Sequence, residues 1–149
     1  MASNQTANLK LNQWLATDAV LRSDFNADNQ KIDSAFSLVP RIVSGTYRGT
    51  GVYGPENPRT LNFTFTPLLV IITADSDYET YAGTVFIRGQ EQSNGIGNAN
   101  STIEGLNLHV TWGEKSVSWY TTSTITLAEN RQMNRDGQLY HYFALGLAS

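Results

Sequence analysis

Two histidines, His109 and His141, and no cysteine bound the metal and nucleophile chemistry open to this chain. Neither histidine has a second at i+2 or i+4, the spacings that bring two imidazoles to one ion. His109 lies between Leu108 and Val110, on the strand face opposite the apolar one, and His141 lies in a strand that ends the chain. Both read as surface or half-buried strand residues. No Gly-x-Ser-x-Gly elbow presents a serine nucleophile. Asp75, Asp77 and Glu79 alternate after an apolar run and carry the oxygen ligands that calcium takes. The sixth loop position would be Thr80 rather than glycine, and the twelfth Phe86 rather than glutamate, so a solvated acidic loop is expected. Gly95-Ile96-Gly97 is followed by Asn98 and by no helix pattern, which sets it apart from a phosphate loop. The sequons at Asn4, Asn62 and Asn100 are expected by chance in so Asn- and Thr-rich a chain. The expectation is a protein without catalytic residues, resident metal or cofactor.

Aromatic and amide side chains offer a different chemistry. Ser, Thr, Asn and Gln make up 48 of 149 residues, while charged residues are only 15%, against about 25% in average proteins. Such a surface meets water through hydroxyls and amides, and it can hydrogen-bond and stack on neutral ligands such as sugars. Tyr78 and Tyr81 flank the acidic loop, and Trp112 stands at a tight hairpin. The polar stretch Glu91–Thr102 holds Asn94, Asn98 and Asn100. These six are the candidate glycan-binding residues. For Trp112 and Trp119, core packing is the alternative. A net charge of −3 argues against a dedicated nucleic-acid binder. Lack of cysteine excludes disulfides, thiolate zinc and iron–sulfur sites. No apolar run approaches the roughly 18–20 residues that span a bilayer. The first residues lack a basic head followed by an apolar stretch, so no signal peptide and no membrane partner are expected.

The elements that must position these residues change character near Pro40. Residues 1–40 contain no glycine, and all 12 glycines fall in 45–146. Two domains are therefore expected, 1–40 and 41–149. In the first, Leu11, Trp14 and Leu15 form a short apolar segment. Ser23 or Asp24 can cap a helix that Pro40 ends. Phe25, Ile32 and Phe36 fall on one helical stripe, and Asp28 and Asn29 sit on or beside it. A helix of about 13 residues is marginal alone, so the stripe wants a partner, either the second domain or copies of itself. Beyond Pro40 the period becomes two. Strands are expected at Arg59–Thr66, Leu68–Thr73, Ala82–Gly89, Leu106–Trp112, from Val117, and at Gln138–Leu147. A hairpin turn is expected at Gly113–Lys115 and another at Asp136-Gly137. The pattern predicts a mainly β protein, a short N-terminal helix followed by an antiparallel, jelly-roll-like β-sandwich.

The stretch Trp14…Thr17-Asp18…Val20…Asp24-Phe25-Asn26-Ala27-Asp28-Asn29…Ile32-Asp33-Ser34-Ala35 resembles the opening of tail fibre and baseplate-associated receptor-binding proteins of phages and prophages of Gram-positive bacteria. GTYRGTGVYGPENPRTLNFTFTPLLVII, VTWGEKSVSWY and QMNRDGQLYHYFALG look like the C-terminal β-domain of such chains. The resemblance implies a non-enzymatic virion protein, made in the bacterial cytoplasm and placed in the tail. It implies a homotrimer, to which Phe25, Asn29, Ile32 and Phe36 are assigned, and attachment to tail or baseplate proteins through Leu11, Trp14 and Leu15. Host cell-wall polysaccharide is the implied ligand of the β-domain. The alternative is a purely structural tail or decoration protein that binds no host glycan.

Overall fold

A computed structural model describes residues 1–75, 83–93, 107–124 and 128–147. The chain is mainly β, its strand ladders antiparallel, and forms two compact units, Met1–Val39 and Pro40–Leu147.

The first unit contains β1 (Asn4–Gln5), β2 (Asn12–Gln13) and the helix α1 (Arg22–Ser37). β1 and β2 pair antiparallel. The helix starts earlier than the capping residues foretold: Leu21 is the N-cap and makes no side-chain cap bond. Ser23 and Asp24 are already inside the first turn, where the Asp24 carboxylate complements the positive end of the helix dipole. The helix closes at Leu38, two residues before Pro40: Leu38 N–H reaches Ala35 O and Val39 N–H reaches Phe36 O, both at 3.2 Å.

The second unit holds two four-stranded sheets. One has the order β3 (Arg41–Arg48), β10 (Leu139–Leu147), β5 (Thr66–Ala74), β6 (Gly83–Ile87). The other runs β4 (Arg59–Asn62), β9 (Ser116–Thr121), β8 (Leu108–Trp112), β7 (Gln92–Ser93). Both send residues into one apolar cluster, with Val70, Ile72, Phe86, Tyr140 and Ala144 from the first sheet and Leu61, Leu108, Val110, Val117 and Trp119 from the second. Trp119 is fully buried, its ring centroid 5.2 Å from that of Phe86 and 6.3 Å from that of Tyr47. Tyr47 stacks on Tyr140 at 5.0 Å. Burial, with a smaller push from Tyr140, raises the Tyr47 hydroxyl well above the ordinary tyrosine range, and Arg59 offsets this only in part. Gly45 lies opposite Tyr142, where an added Cβ would meet the phenol oxygen at 2.5 Å.

The expected strand Arg59–Thr66 is two elements. β4 ends at Asn62 and β5 begins at Thr66, because the chain leaves one sheet for the other between them. β3 was not foreseen as a strand. Leu106 lies outside the described residues. Asp136-Gly137 makes a turn, with Gly137 at φ +69° and Gln138 N–H on Arg135 O, but no hairpin. What precedes it is the short helix α2 (Ala128–Arg131) and a buried segment, and β10 pairs with β3 and β5 instead.

That buried segment is held by its polar side chains. Gln132 Oε1 accepts the N–H groups of Gly54 (2.9 Å) and Thr121 (3.1 Å), and its Nε2 donates to Asn57 O (2.7 Å). Its backbone carbonyl accepts the Trp119 indole N–H at 2.8 Å. Asn134 bonds Thr50 N–H, Thr50 Oγ1 and Val52 O. Tyr47 Oη donates to Met133 O at 2.9 Å. A buried group left unpaired costs about 1–3 kcal/mol. Gln132→Leu orphans two N–H groups and a carbonyl, so it is expected to lower the unfolding free energy by about 3 kcal/mol or more in a denaturant titration; a loss below about 1 kcal/mol would contradict this role.

Candidate functional site

The hairpin β8–β9 positions the site. Its turn closes with Gly113 N–H on Ser116 O at 3.0 Å and sets Trp112 opposite Val117. Counting back along the ladder, His109 then falls opposite Tyr120. Leu108 and Val110 point into the core, so His109 and Tyr120 point out. Their rings stack with centroids 5.0 Å apart and planes 6° from parallel.

Next to this platform the chain makes a tight turn, with Gly89 at φ +95° and Gln90 N–H on Ile87 O at 3.0 Å. The Gln90 side chain accepts Ile87 N–H at 2.9 Å, and its carbonyl accepts the Trp112 indole N–H at 3.1 Å. Arg88 bonds Pro67 O and Gly113 O at 3.0 Å each, which places its guanidinium 5.7 Å from the Trp112 ring centroid. Between turn and hairpin lies a groove of about 440 Å³, lined by Gly89, Gln90, Glu91, His109, Val110, Thr111, Trp112 and Tyr120. Its walls are aromatic faces, amide and hydroxyl groups, and the single carboxylate of Glu91. A surface of this chemistry can stack on an apolar ring face while its neutral polar groups meet hydroxyls. No cluster of three metal-ligating side chains occurs among the described residues.

Of the six glycan candidates, Trp112 lines this groove. Tyr78, Tyr81, Asn94, Asn98 and Asn100 lie outside the described residues. The core-packing alternative holds for Trp119, which is fully buried, and in part for Trp112, which is half-buried against the core cluster in step with Leu108 and Val110. Nothing in the sequence pattern singles out Tyr120 or Gln90, and it marks His109 only as a surface or half-buried strand residue. The hairpin turn was the available signal, because it fixes which outward residues face each other across the ladder.

In the first unit Trp14 stacks on Phe25 at 4.9 Å, so one attachment candidate and one trimerisation candidate engage each other within the chain. Leu15 is exposed and Leu11 half-buried. Farther along α1, Asn29 and Phe36 are exposed and Ile32 is half-buried; all three line an open hollow of about 490 Å³ with Gln30 and Asp33. Asp28 does not join that stripe. It is buried, and its carboxylate accepts Asn12 N–H (2.8 Å), Asn12 Nδ2 (3.1 Å) and Lys31 Nζ (3.2 Å). Asp18 accepts Ser3 N–H (2.9 Å), Ser3 Oγ (2.5 Å) and Leu15 N–H (2.8 Å).

Compared with family models, curated proteins and solved structures, the chain finds no match.

Both aspartates titrate below the ordinary carboxylate range. At Asp28 desolvation pushes the other way, but the bonds from Asn12 and Lys31 outweigh it. At Asp18 the Ser3 hydroxyl does most, followed by the N–H groups of Leu15 and Ser3. A depressed folded pKa gives stabilisation that is complete above the unfolded value of about 3.9 and is lost as pH falls through the folded one. Acidification below about pH 4 is therefore expected to release β1, β2 and Trp14 from α1. The indole N–H resonance of Trp14 should shift over that range, and in Asp18→Asn/Asp28→Asn it should already be displaced at pH 7. An indole signal unmoved by both acid and substitution would contradict the assignment.

Proposed function

We propose that this chain is a non-enzymatic phage virion protein of the tail fibre or baseplate, which joins the particle through its first unit and presents its second to host cell-wall carbohydrate. The observation that carries the binding half is the groove at Trp112 and the His109–Tyr120 platform, an aromatic and largely uncharged surface held by a hydrogen-bonded turn. The particle half rests on the likeness of the Trp14–Ala35 and Gln132–Gly146 stretches to tail proteins.

In this reading the second unit is a jelly-roll-like sandwich. Its first strand β3 pairs with the last, β10, and its second, β4, with the penultimate, β9, the nested pairing such folds favour. The helix α1 trimerises through Asn29, Ile32 and Phe36, next to the Trp14–Phe25 stack. Three grooves on one assembly raise avidity without any new contact. Leu15, Val20 and Leu21, all exposed, lie in the segment assigned to particle attachment.

Two measurements test this. Ile32→Asp is expected to convert a trimer to a monomer by light scattering; a trimer that survives the change refutes the helix assignment. Wild-type protein is expected to be retained on Gram-positive cell walls at micromolar concentration. Tyr120→Ala, an outward and half-buried position, should weaken retention about tenfold, equivalent to about 1.4 kcal/mol. Retention equal to wild type would move the site elsewhere, and no retention of the wild type would favour a purely structural role.

A further inference from the structure

The sheet β3-β10-β5-β6 has an apolar inner face and an apolar stretch on its outer face, bordered by the polar row Thr46, His141 and Thr73. Its inner face belongs to the core. On its outer face the strand register aligns Ile42, Leu145, Leu69 and Ile87 in one row across all four strands. Ser44, Phe143, Ile71 and Val85 form the next row. Seven of these eight side chains are apolar and none is charged. Ile42 is 63% exposed, Ile87 54% and Phe143 37%, while Leu69, Ile71, Val85 and Leu145 are half-buried. The outer face of the other sheet is built on the opposite plan, with Thr60, Ser118 and Thr111 aligned across it.

Strands about 4.8 Å apart and same-side residues about 6.8 Å apart make the two apolar rows a slab of roughly 19 by 14 Å, or about 270 Å². A stable interface takes about 800 Å² from each partner. An independent partner seated on this slab alone would bind weakly. A partner already tethered to the chain meets it at high effective concentration. The exposed apolar side chains lead to such a partner. In the first unit Phe36 (66%), Leu38 (75%) and Val39 (50%) are exposed, so the segment proposed to self-associate is itself apolar and open. Since neither row carries charge, identical faces can meet without like-charge repulsion, although each chain carries −3.

We propose that this outer face is where the second units of neighbouring copies meet around the shared axis. The inference rests on the reading that α1 self-associates, and it adds a second contact surface to that assembly. Partial burial of the rows would make the orientation of the second units, and so the direction of the Trp112 grooves, a property of the assembly rather than of the chain before it.

The cysteine-free chain allows a direct test. Ser44→Cys places a thiol in the second row with almost no change of shape, and Thr111→Cys places one on the polar outer face of the other sheet as the control. Sedimentation equilibrium first establishes the mass of the wild type. Treated with a short bismaleimide, the Ser44→Cys assembly is expected to yield covalent pairs, while Thr111→Cys yields none above background. Adding Ile42→Lys and Ile87→Lys, both at exposed positions, should cut the Ser44→Cys yield at least tenfold with the circular dichroism unchanged. A multimeric wild type whose Ser44→Cys variant links no better than the control overturns this face and leaves the α1 reading standing. That result also covers the case in which the chain's own helix occupies the face. A monomeric wild type overturns both.

Discussion

The carboxamide of Gln132 has no exposed surface, and an amide in that position must have its bonds made inside the protein. Its three side-chain contacts bind the 54–57 segment to strand β9, and its own carbonyl fixes the indole of Trp119. Trp119 in turn lies against Phe86 and Tyr47, which belong to the opposite sheet. The residue whose amide ties these segments together thus also anchors, through its backbone carbonyl, the indole that packs across to the opposite sheet. Asn134 extends the same device to residues 50–52, so long connections with little regular structure are held by side chains rather than by ladders. Because β9 is fixed through Trp119, its neighbour Tyr120 is fixed too, and with it one wall of the groove.

The two sheets spend their outer faces differently. One carries hydroxyls and the His109–Tyr120 stack, suited to water and to neutral hydroxylated ligands. The other carries two rows of aliphatic and aromatic side chains. Low charge serves both. A neutral sugar, the proposed ligand, would offer no charge to pair with, and an apolar slab between copies, as proposed, would tolerate none. The amide- and hydroxyl-rich composition thus divides by surface as well as along the chain.

In the first unit, carboxylates do the holding that a larger core would do elsewhere. Asp18 and Asp28 each collect backbone and side-chain donors from the segment ahead of α1, and Trp14 closes against Phe25. The Trp14…Asp18…Asp24-Phe25…Asp28 spacing therefore has a physical meaning: it folds the leading segment back on the helix. Phe25, for all that it stacks on Trp14, and Phe36 remain exposed along the stripe, with Ile32 half-buried between them.

Much of the fold was legible because it rests on local periodicity. The Phe25–Phe36 stripe, the LLVIIT run and the alternation around Leu108–Trp112 all announce their elements, and the Gly113–Lys115 turn announces its hairpin. Strand β3 was not legible, since its inward set of Val43, Gly45 and Tyr47 includes a glycine that makes sense only against Tyr142. The roles of Gln132 and Asn134 were hidden for the same reason: an amide in a polar-rich sequence looks like surface until its partners, some 80 residues away, are known. Sequence by itself determined the mainly antiparallel β character, the change at Pro40 and the absence of thiol chemistry, because these follow from composition and from neighbours a few residues apart. Only the tertiary structure decided that Asp28 is buried, that His109 stacks on Tyr120 beside Trp112, and that one sheet is apolar on its outer face. The apolar part of that outer face is two rows, and like the other two findings it depends on register between strands or segments distant in the chain, which places a side chain on a face that composition alone does not name.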